Sequence, residues 1–267
     1  MVLQTDDTVH PGATLSPDGA HIVYTIGKRS EAEPNGFIVD VSGGVPRQLC
    51  ERCLLYGFLS DNRRLLAVWD DRATIGTIDV KTGARDVLLR ASGGRLDRPH
   101  ASPDDRWLAF RQTVDPEGYS YVAPLTPGRA APRESWQEIE RTAPGRPVGW
   151  SPDSRTVYTW QDTDGFRCLW GQRVEHTTGK LIGGPFPVRH FHRQIDAGPS
   201  TSLGNPVTVD GLLYEGVYHT GDLWRLAAAP GAARKRERSY ASCSCVRKRR
   251  RDGRGSTRRG GSAAAEA

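Results

Sequence analysis

Four times along the chain, a polar turn built on serine and aspartate runs directly into a short stretch of apolar, β-branched and aromatic residues. Leu15-Ser16-Pro17-Asp18-Gly19 precedes Ala20-His21-Ile22-Val23-Tyr24-Thr25, and Leu59-Ser60-Asp61-Asn62-Arg63 precedes Arg64-Leu65-Leu66-Ala67-Val68-Trp69. Ala101-Ser102-Pro103-Asp104-Asp105 leads into Arg106-Trp107-Leu108-Ala109-Phe110, and Trp150-Ser151-Pro152-Asp153-Ser154 into Arg155-Thr156-Val157-Tyr158-Thr159-Trp160. A fifth, degraded copy reads Val209-Asp210-Gly211-Leu212-Leu213-Tyr214. Proline presets φ near about −65° at the second turn position, aspartate bonds its side chain to nearby amides, and glycine accepts positive φ without a Cβ clash. Each copy therefore reverses the chain and starts a strand.

Measured from serine to serine, the copies lie 44, 42 and 49 residues apart. A four-stranded propeller blade needs about 40 to 45 residues. Each unit carries a second turn-and-strand signal downstream. Asp164-Gly165-Phe166-Arg167-Cys168-Leu169-Trp170 and Gly221-Asp222-Leu223-Trp224-Arg225-Leu226 show it most clearly, and Asn35–Val41 and Ile75–Val80 fit more loosely. One such sheet cannot cover both its faces alone, so the pattern predicts an all-β propeller whose four-stranded blades press sideways on one another.

These turns and strands resemble the TolB-like, WD-type β-propeller repeat family of bacterial proteins, over residues 1 to about 229. Cys50-Glu51-Arg52-Cys53, the 164–170 segment, and Gly184-Pro185-Phe186-Pro187-Val188 with His190-Phe191-His192 resemble a subgroup often found C-terminal to Ser/Thr kinase or DNA-binding modules. Two departures stand out: Asp61-Asn62 replaces Pro-Asp in the second unit, and the fifth unit lacks Ser-Pro. The resemblance implies six or seven blades where five are recognisable. Either Val2-Leu3-Gln4-Thr5 closes the ring by joining the last blade as its outermost strand, or the chain is an incomplete ring.

Composition fits this reading, since 30 Gly and 18 Pro imply many turns and few long helices. The net charge of +6 is carried at one end. From Gly231 to Ala267 twelve Lys and Arg stand against Glu237, Asp252 and Glu266, a balance of +9 that leaves residues 1 to 230 at −3. We therefore expect residues 1–229 to form the propeller and 230–267 a basic, low-complexity, disordered tail. No run approaches the about 18 apolar residues of a membrane helix, and the first residues do not form a secretory signal. The default expectation is a cytoplasmic protein, or a periplasmic one if the chain is a domain of something longer.

The candidate sites are few. Asp18, Asp104, Asp105 and Asp153 could be assembled into acid–base pairs, but equivalent positions lie a blade apart, so turn chemistry explains them better. No Gly-x-Ser-x-Gly elbow occurs, and no room remains after residue 230 for an α/β-hydrolase domain. Cys50 and Cys53 leave metal, redox and packed-turn readings open, because Cys243 and Cys245 have the wrong spacing to complete a zinc site. His190 and His192 alternate on a strand without a third ligand. Trp69, Trp107, Trp150, Trp160, Trp170 and Trp224 sit near the repeat signatures, as core aromatics between sheets would. Arg234-Lys235-Arg236 and Arg247-Lys248-Arg249-Arg250-Arg251 would attract nucleic acid non-specifically, which we do not take as the function.

The sequence thus predicts no catalytic, cofactor-binding or metal residues. It predicts a non-enzymatic scaffold or recognition module that takes a protein or peptide on a propeller face. The alternatives are a detached ligand-sensing domain of a kinase-linked regulator and the accessory propeller of a hydrolase.

Overall fold

A computed structural model describes residues 8–28, 34–139, 145–163 and 166–190, together with the short strand segments 195–197, 207–208, 211–212 and 216–218. All of these lie in one compact unit, Met1–Leu223. The proposed closing strand at Val2–Thr5, the turn at Asp164-Gly165, His192, the Gly221–Leu226 signal with Trp224, and the basic tail fall outside the described residues.

Four consecutive four-stranded antiparallel sheets make up the unit, each in simple up-and-down order. Blade 1 is β1 (Thr8–Leu15), β2 (His21–Lys28), β3 (Asn35–Asp40) and β4 (Arg47–Cys50). Blade 2 is β5 (Leu54–Phe58), β6 (Arg64–Trp69), β7 (Thr74–Asp79) and β8 (Arg85–Arg90). Blade 3 is β9 (Arg95–Ala101), β10 (Trp107–Val114), β11 (Glu117–Pro124) and β12 (Gln137–Glu138), with a short 3-10 turn at Arg133–Ser135 before its last strand. Blade 4 is β13 (Gly145–Trp150), β14 (Thr156–Thr163), β15 (Phe166–Val174) and β16 (Leu181–His190). The fifth repeat appears as two two-stranded pairs, β17 (Ile195–Ala197) with β20 (Gly216–Tyr218) and β18 (Val207–Thr208) with β19 (Gly211–Leu212). The β18–β19 hairpin coincides with the degraded copy read in the sequence. Among the described residues no helix is long and apolar enough to cross a membrane.

The first strand of each blade lies against the preceding blade: β5 packs on blade 1, β9 on blade 2 and β13 on blade 3. Strand alternation explains how one sheet serves two neighbours, because successive side chains point to opposite faces. In β6, Leu65, Ala67 and Trp69 pack with blade 1, whereas Leu66 and Val68 pack with blade 3. In β10, Leu108 and Phe110 face blade 2 while Trp107 and Ala109 face blade 4. The apolar cores are therefore the joints between blades, as the repeat requires. Trp69, Trp107 and Trp150 are buried in these joints, and Trp160 is buried with Val148 and Leu169 within blade 4. Trp136, which lies outside the repeat grammar, is buried against Phe110 and Tyr121.

Hydrogen bonds supplement the apolar joints. Trp150 donates its indole N–H to the His100 carbonyl at 2.9 Å, and Trp107 donates to the His176 carbonyl at 3.2 Å. Gln137 of blade 3 donates to the Gly179 carbonyl and accepts from the Leu181 amide of blade 4.

The backbone also corrects the alignment of the second repeat. Ser16, Leu59, Ser102 and Ser151 each donate their amide to the carbonyl five residues on, at 2.8 Å in all four turns. Leu59, not Ser60, is therefore the counterpart of the turn serine, and Ser60 stands in the place of proline. Counted this way the units are 43, 43 and 49 residues long. The reason is burial: this position faces the interior, and Leu59 fills the joint between blades 2 and 3 as part of its apolar core.

Candidate functional site

The turn carboxylates are absorbed by their own turns. Asp18 accepts from the Ser16 hydroxyl and the Ala20 amide, Asp104 from the Ser102 hydroxyl and the Arg106 amide, and Asp153 from the Ser151 hydroxyl and the Arg155 amide. The serine oxygen in turn accepts an amide from the following strand, at His21, Trp107 and Thr156. Where Leu59 supplies no hydroxyl, Asp61 compensates by accepting the amides of both Arg63 and Arg64. Hydroxyl and neighbouring amide donation holds Asp18 and Asp153 below the usual carboxylate range. A carboxylate so held is a poor proton acceptor near neutrality.

Ser102, Asp104 and His176 lie close together, with His176 Nε2 2.9 Å from Asp104. The order of contacts is wrong for nucleophilic catalysis. The Ser102 hydroxyl donates to the carboxylate and accepts backbone amides, so the imidazole does not activate it.

Neighbouring turns are also latched to one another through the residue in the left-handed region. Asn62 (φ 55°) accepts the Asp18 amide at 2.9 Å, Asp105 (φ 55°) accepts the Ser60 amide and hydroxyl, and Ser154 (φ 58°) accepts the Asp104 amide at 3.2 Å. Replacing Asn62 by alanine is expected to cost about 1 to 2 kcal/mol, from the lost bond and the poorer tolerance of positive φ. Asn62→Gly keeps the backbone freedom and should recover part of that loss. Urea unfolding midpoints of the two variants measure the split, and equal midpoints would refute it.

A second recurrent turn joins the third and fourth strands at this same end. Asp79-Val80-Lys81-Thr82-Gly83 and Glu175-His176-Thr177-Thr178-Gly179 share it, the glycine amide returning to the carbonyl of the leading acid, and Asp40-Val41-Ser42-Gly43 closes in a similar way but one residue sooner. Asp79 accepts the Lys81 and Thr82 amides, and Glu175 those of Thr177 and Thr178. Bonding to the Thr82 amide above all lowers Asp79 to about 2, and bonding to Thr178 and Thr177 lowers Glu175 to about 2. A folded value below the unfolded one gives stability that is present above the unfolded value and disappears as pH falls through the folded one. Stability should therefore decline from about pH 4.5 down to about 2. Asp79→Asn combined with Glu175→Gln should flatten that decline in urea midpoints taken across the range, and an unchanged slope would count against these turns as its source.

The opposite end of the blades is built differently. It carries the hairpin loop between β6 and β7, the linkers before β5 and β9, and the first halves of the inner strands. Besides the three latch residues, five non-glycine residues among those described have φ in the left-handed region, namely Arg52, Asp70, Asp71, Arg72 and Arg98, and all five are here. Each costs about 1 kcal/mol, and such outliers concentrate at functional sites.

Arg72, whose carbonyl accepts the Leu96 amide at 2.7 Å, comes from blade 2. Asp97 and Arg98 come from β9, Arg111 faces Asp97 across the β9–β10 pair, and Arg146 comes from β13. Arg111 lies flat on Gly118, where a Cβ would sit 2.2 Å from its Nη2. Asp97 Oδ1 and Arg111 Nε are buried without a hydrogen-bond partner among the described residues. Burial pushes Asp97 up, against the pull of Arg111, Arg98, Arg72 and Arg146. Burial, reinforced by Asp97, raises Tyr56 to about 12, while its hydroxyl takes the Arg98 amide. Burial, with Arg98 adding to it, holds His100 down at about 3, so its imidazole is neutral at ordinary pH.

The other residues singled out in the sequence stay apart from this cluster. Cys50, at the end of β4, and Cys53, in the linker to blade 2, are bonded to each other and both buried, which withdraws their thiolates from metal binding. The backbone at His190 pairs with Cys168 at the end of β16. Among the described residues no three His, Cys, Asp or Glu side chains gather as a metal site.

No family model and no curated protein matches the sequence. Solved structures do match. A putative TolB from Agrobacterium tumefaciens superposes with a TM-score of 0.54 and 19% identity, over 81% of this chain and 75% of that one. The apo form of prolyl oligopeptidase B from Galerina marginata gives 0.50 and 12%, over 71% of this chain but 30% of the peptidase. TolB from Acinetobacter baumannii gives 0.49 and 17%, over 61% and 41%. At such identities the likeness speaks for architecture alone. Four successively packed, four-stranded sheets and the likeness to the Agrobacterium tumefaciens structure give the chain a TolB-like β-propeller fold.

Proposed function

We propose that the protein is a non-enzymatic propeller scaffold that recognises a protein or peptide on one face of its blades. The observation that carries this reading is the contrast between the two ends of the blades. At one end the acids are consumed by turn geometry and by latches between blades. At the other, charged side chains from three successive blades surround Asp97, two of them, Arg72 and Arg98, on left-handed backbone. Such loops on a rigid frame are where binding function concentrates. We take residues 1–229 as the propeller in this reading, with 230–267 outside it.

The test is a footprint. A captured protein partner, mapped by hydrogen exchange, should protect the β6–β7 loop and the segments around Arg52 and Arg98. Protection confined to the last strands of the blades, or to the Ser-Pro-Asp turns, would defeat the proposal.

A further inference from the structure

We propose that the Cys50–Cys53 bond is a redox-sensitive clasp at the joint between blades 1 and 2, closed when the pair is oxidised and opened by a small-molecule thiol while the blades stay folded. Its consequence for binding rests on the recognition reading above, because Arg52 and the β6–β7 loop belong to the face assigned there. A disulfide stabilises a fold as a whole more strongly the longer the segment it closes, and here only Glu51 and Arg52 lie between the two cysteines. The bond therefore acts locally. Both cysteines lie in the apolar core with Leu55, Leu65, Ala67 and Trp69, and burial of those side chains holds the two blades together whether or not the pair is bonded.

What the bond fixes is the exposed turn at Glu51 and Arg52. Arg52 is held there at φ 49°, in the left-handed region that an arginine adopts only at a cost. From that position its guanidinium meets Asp71 of blade 2 at 2.7 Å. Both side chains are exposed, and an exposed ion pair is too weak to impose its own geometry, so this contact depends on the turn that presents Arg52. Two further bonds close the turn. The Arg52 amide donates to Asn35 Oδ1 at 3.0 Å, and the Cys53 amide donates to the Pro34 carbonyl at 2.8 Å.

Cys50 Sγ and Leu55 press on the backbone of β3 at Gly36, where an added Cβ would come within 2.8 Å of both, and the two cysteines are buried. A reductant therefore enters by way of the exposed turn, when the bonds to Asn35 and Pro34 open. A thiolate of the reductant attacks one sulfur and a second thiolate releases it. Two electrons and two protons pass to the protein, leaving Cys50 and Cys53 as thiols and the reductant as its own disulfide. Without the bond the turn sheds the left-handed strain at Arg52, and the contact with Asp71 goes with it.

The experiment is residue-level hydrogen exchange on the full chain, without a partner, before and after dithiothreitol, with Cys243→Ser and Cys245→Ser in place so that the tail cysteines take no part. Differential alkylation should find Cys50 and Cys53 blocked together in the oxidised protein and free after reduction. The Arg52 and Cys53 amides should exchange about tenfold faster once the bond is reduced, while the amides of Leu65, Leu66, Ala67 and Val68 in β6 keep their rates. Cys50→Ser with Cys53→Ser should reproduce the reduced pattern. Asn35→Ala, which removes one of the two bonds that close the turn, should speed reduction about fivefold.

Free thiols at Cys50 and Cys53 in the oxidised protein, unchanged exchange at Arg52 and Cys53, an equal rise across β6, a serine pair that keeps the oxidised pattern, or an unaltered reduction rate in Asn35→Ala would each overturn the clasp. If the serine pair does not fold, the parent measured in its two states decides. Since no partner is used, the clasp can fail while a footprint on this face stands. A footprint elsewhere removes the consequence for binding and leaves the clasp.

Discussion

Trp150→Ala is expected to lower the unfolding free energy by about 3 to 5 kcal/mol, a large share of the roughly 5 to 15 kcal/mol that holds a domain together. Trp150 is fully buried at the joint between blades 3 and 4, in the core formed by Trp107, Ala109, Val122, Ile139, Val157 and Val174. Truncation removes most of the filling of that joint and leaves a cavity between two sheets whose own hydrogen bonds resist collapse. It also deprives the His100 carbonyl of its indole donor. Trp150→Phe isolates this last contribution, because most of the apolar volume stays while the N–H goes; about 1 to 2 kcal/mol should be lost. Urea unfolding followed by tryptophan fluorescence and by circular dichroism checks both values. If the alanine variant unfolds within 1 kcal/mol of the parent, on the order of a surface substitution, the joints do not carry the stability assigned to them.

The same joints explain why the frame was legible in the sequence. A strand that serves two neighbours must be apolar on both faces, so Leu65-Leu66-Ala67-Val68-Trp69 and Trp107-Leu108-Ala109-Phe110 read as continuous apolar runs behind a fixed turn. The error in the second unit has the same origin. Its turn serine gave way to Leu59, which the core accepts, and Ser60 next door imitates the lost residue. The aspartates would have given the true register, since Asp18, Asp61, Asp104 and Asp153 fill one position and bond the same amides. The second recurrent turn is also present in the sequence, in Asp79-Val80-Lys81-Thr82-Gly83 and Glu175-His176-Thr177-Thr178-Gly179, but the change from aspartate to glutamate hides it.

The arginine cluster had no comparable signal. Arg72, Arg98, Arg111 and Arg146 occupy a hairpin loop, a bulged inner strand, a second strand and the start of another inner strand. They share no local motif, and only the packing of β9 between its neighbours brings them around Asp97. Nor does a spacing of three residues decide between a metal pair, a redox pair and a bonded pair at Cys50 and Cys53. Their bond and burial where β4 gives way to the next blade are tertiary facts.

Gly83 and Gly179 separate the backbone demand of the second turn from its packing demand. Both close the same turn, at φ 75° and 69°, and both return their amide to the leading acid at 2.8 Å. A Cβ at Gly83 would meet nothing within 4 Å, whereas one at Gly179 would lie 2.2 Å from the Trp107 ring. That ring is buried at the joint between blades 3 and 4 and tied by its indole N–H to the His176 carbonyl, so it has little room to retreat. Gly83→Ala should therefore cost about 1 to 2 kcal/mol, the left-handed penalty alone. Gly179→Ala should cost that penalty plus about 1 to 3 kcal/mol of overpacking. The turn would then push blade 4 away from blade 3, which also threatens the Gln137 bonds to Gly179 and Leu181. Paired thermal and urea unfolding of the two variants measures the difference directly. Equal destabilisation would mean that the turn moves freely over Trp107, and that the edge of this joint is looser than the contacts between its blades imply.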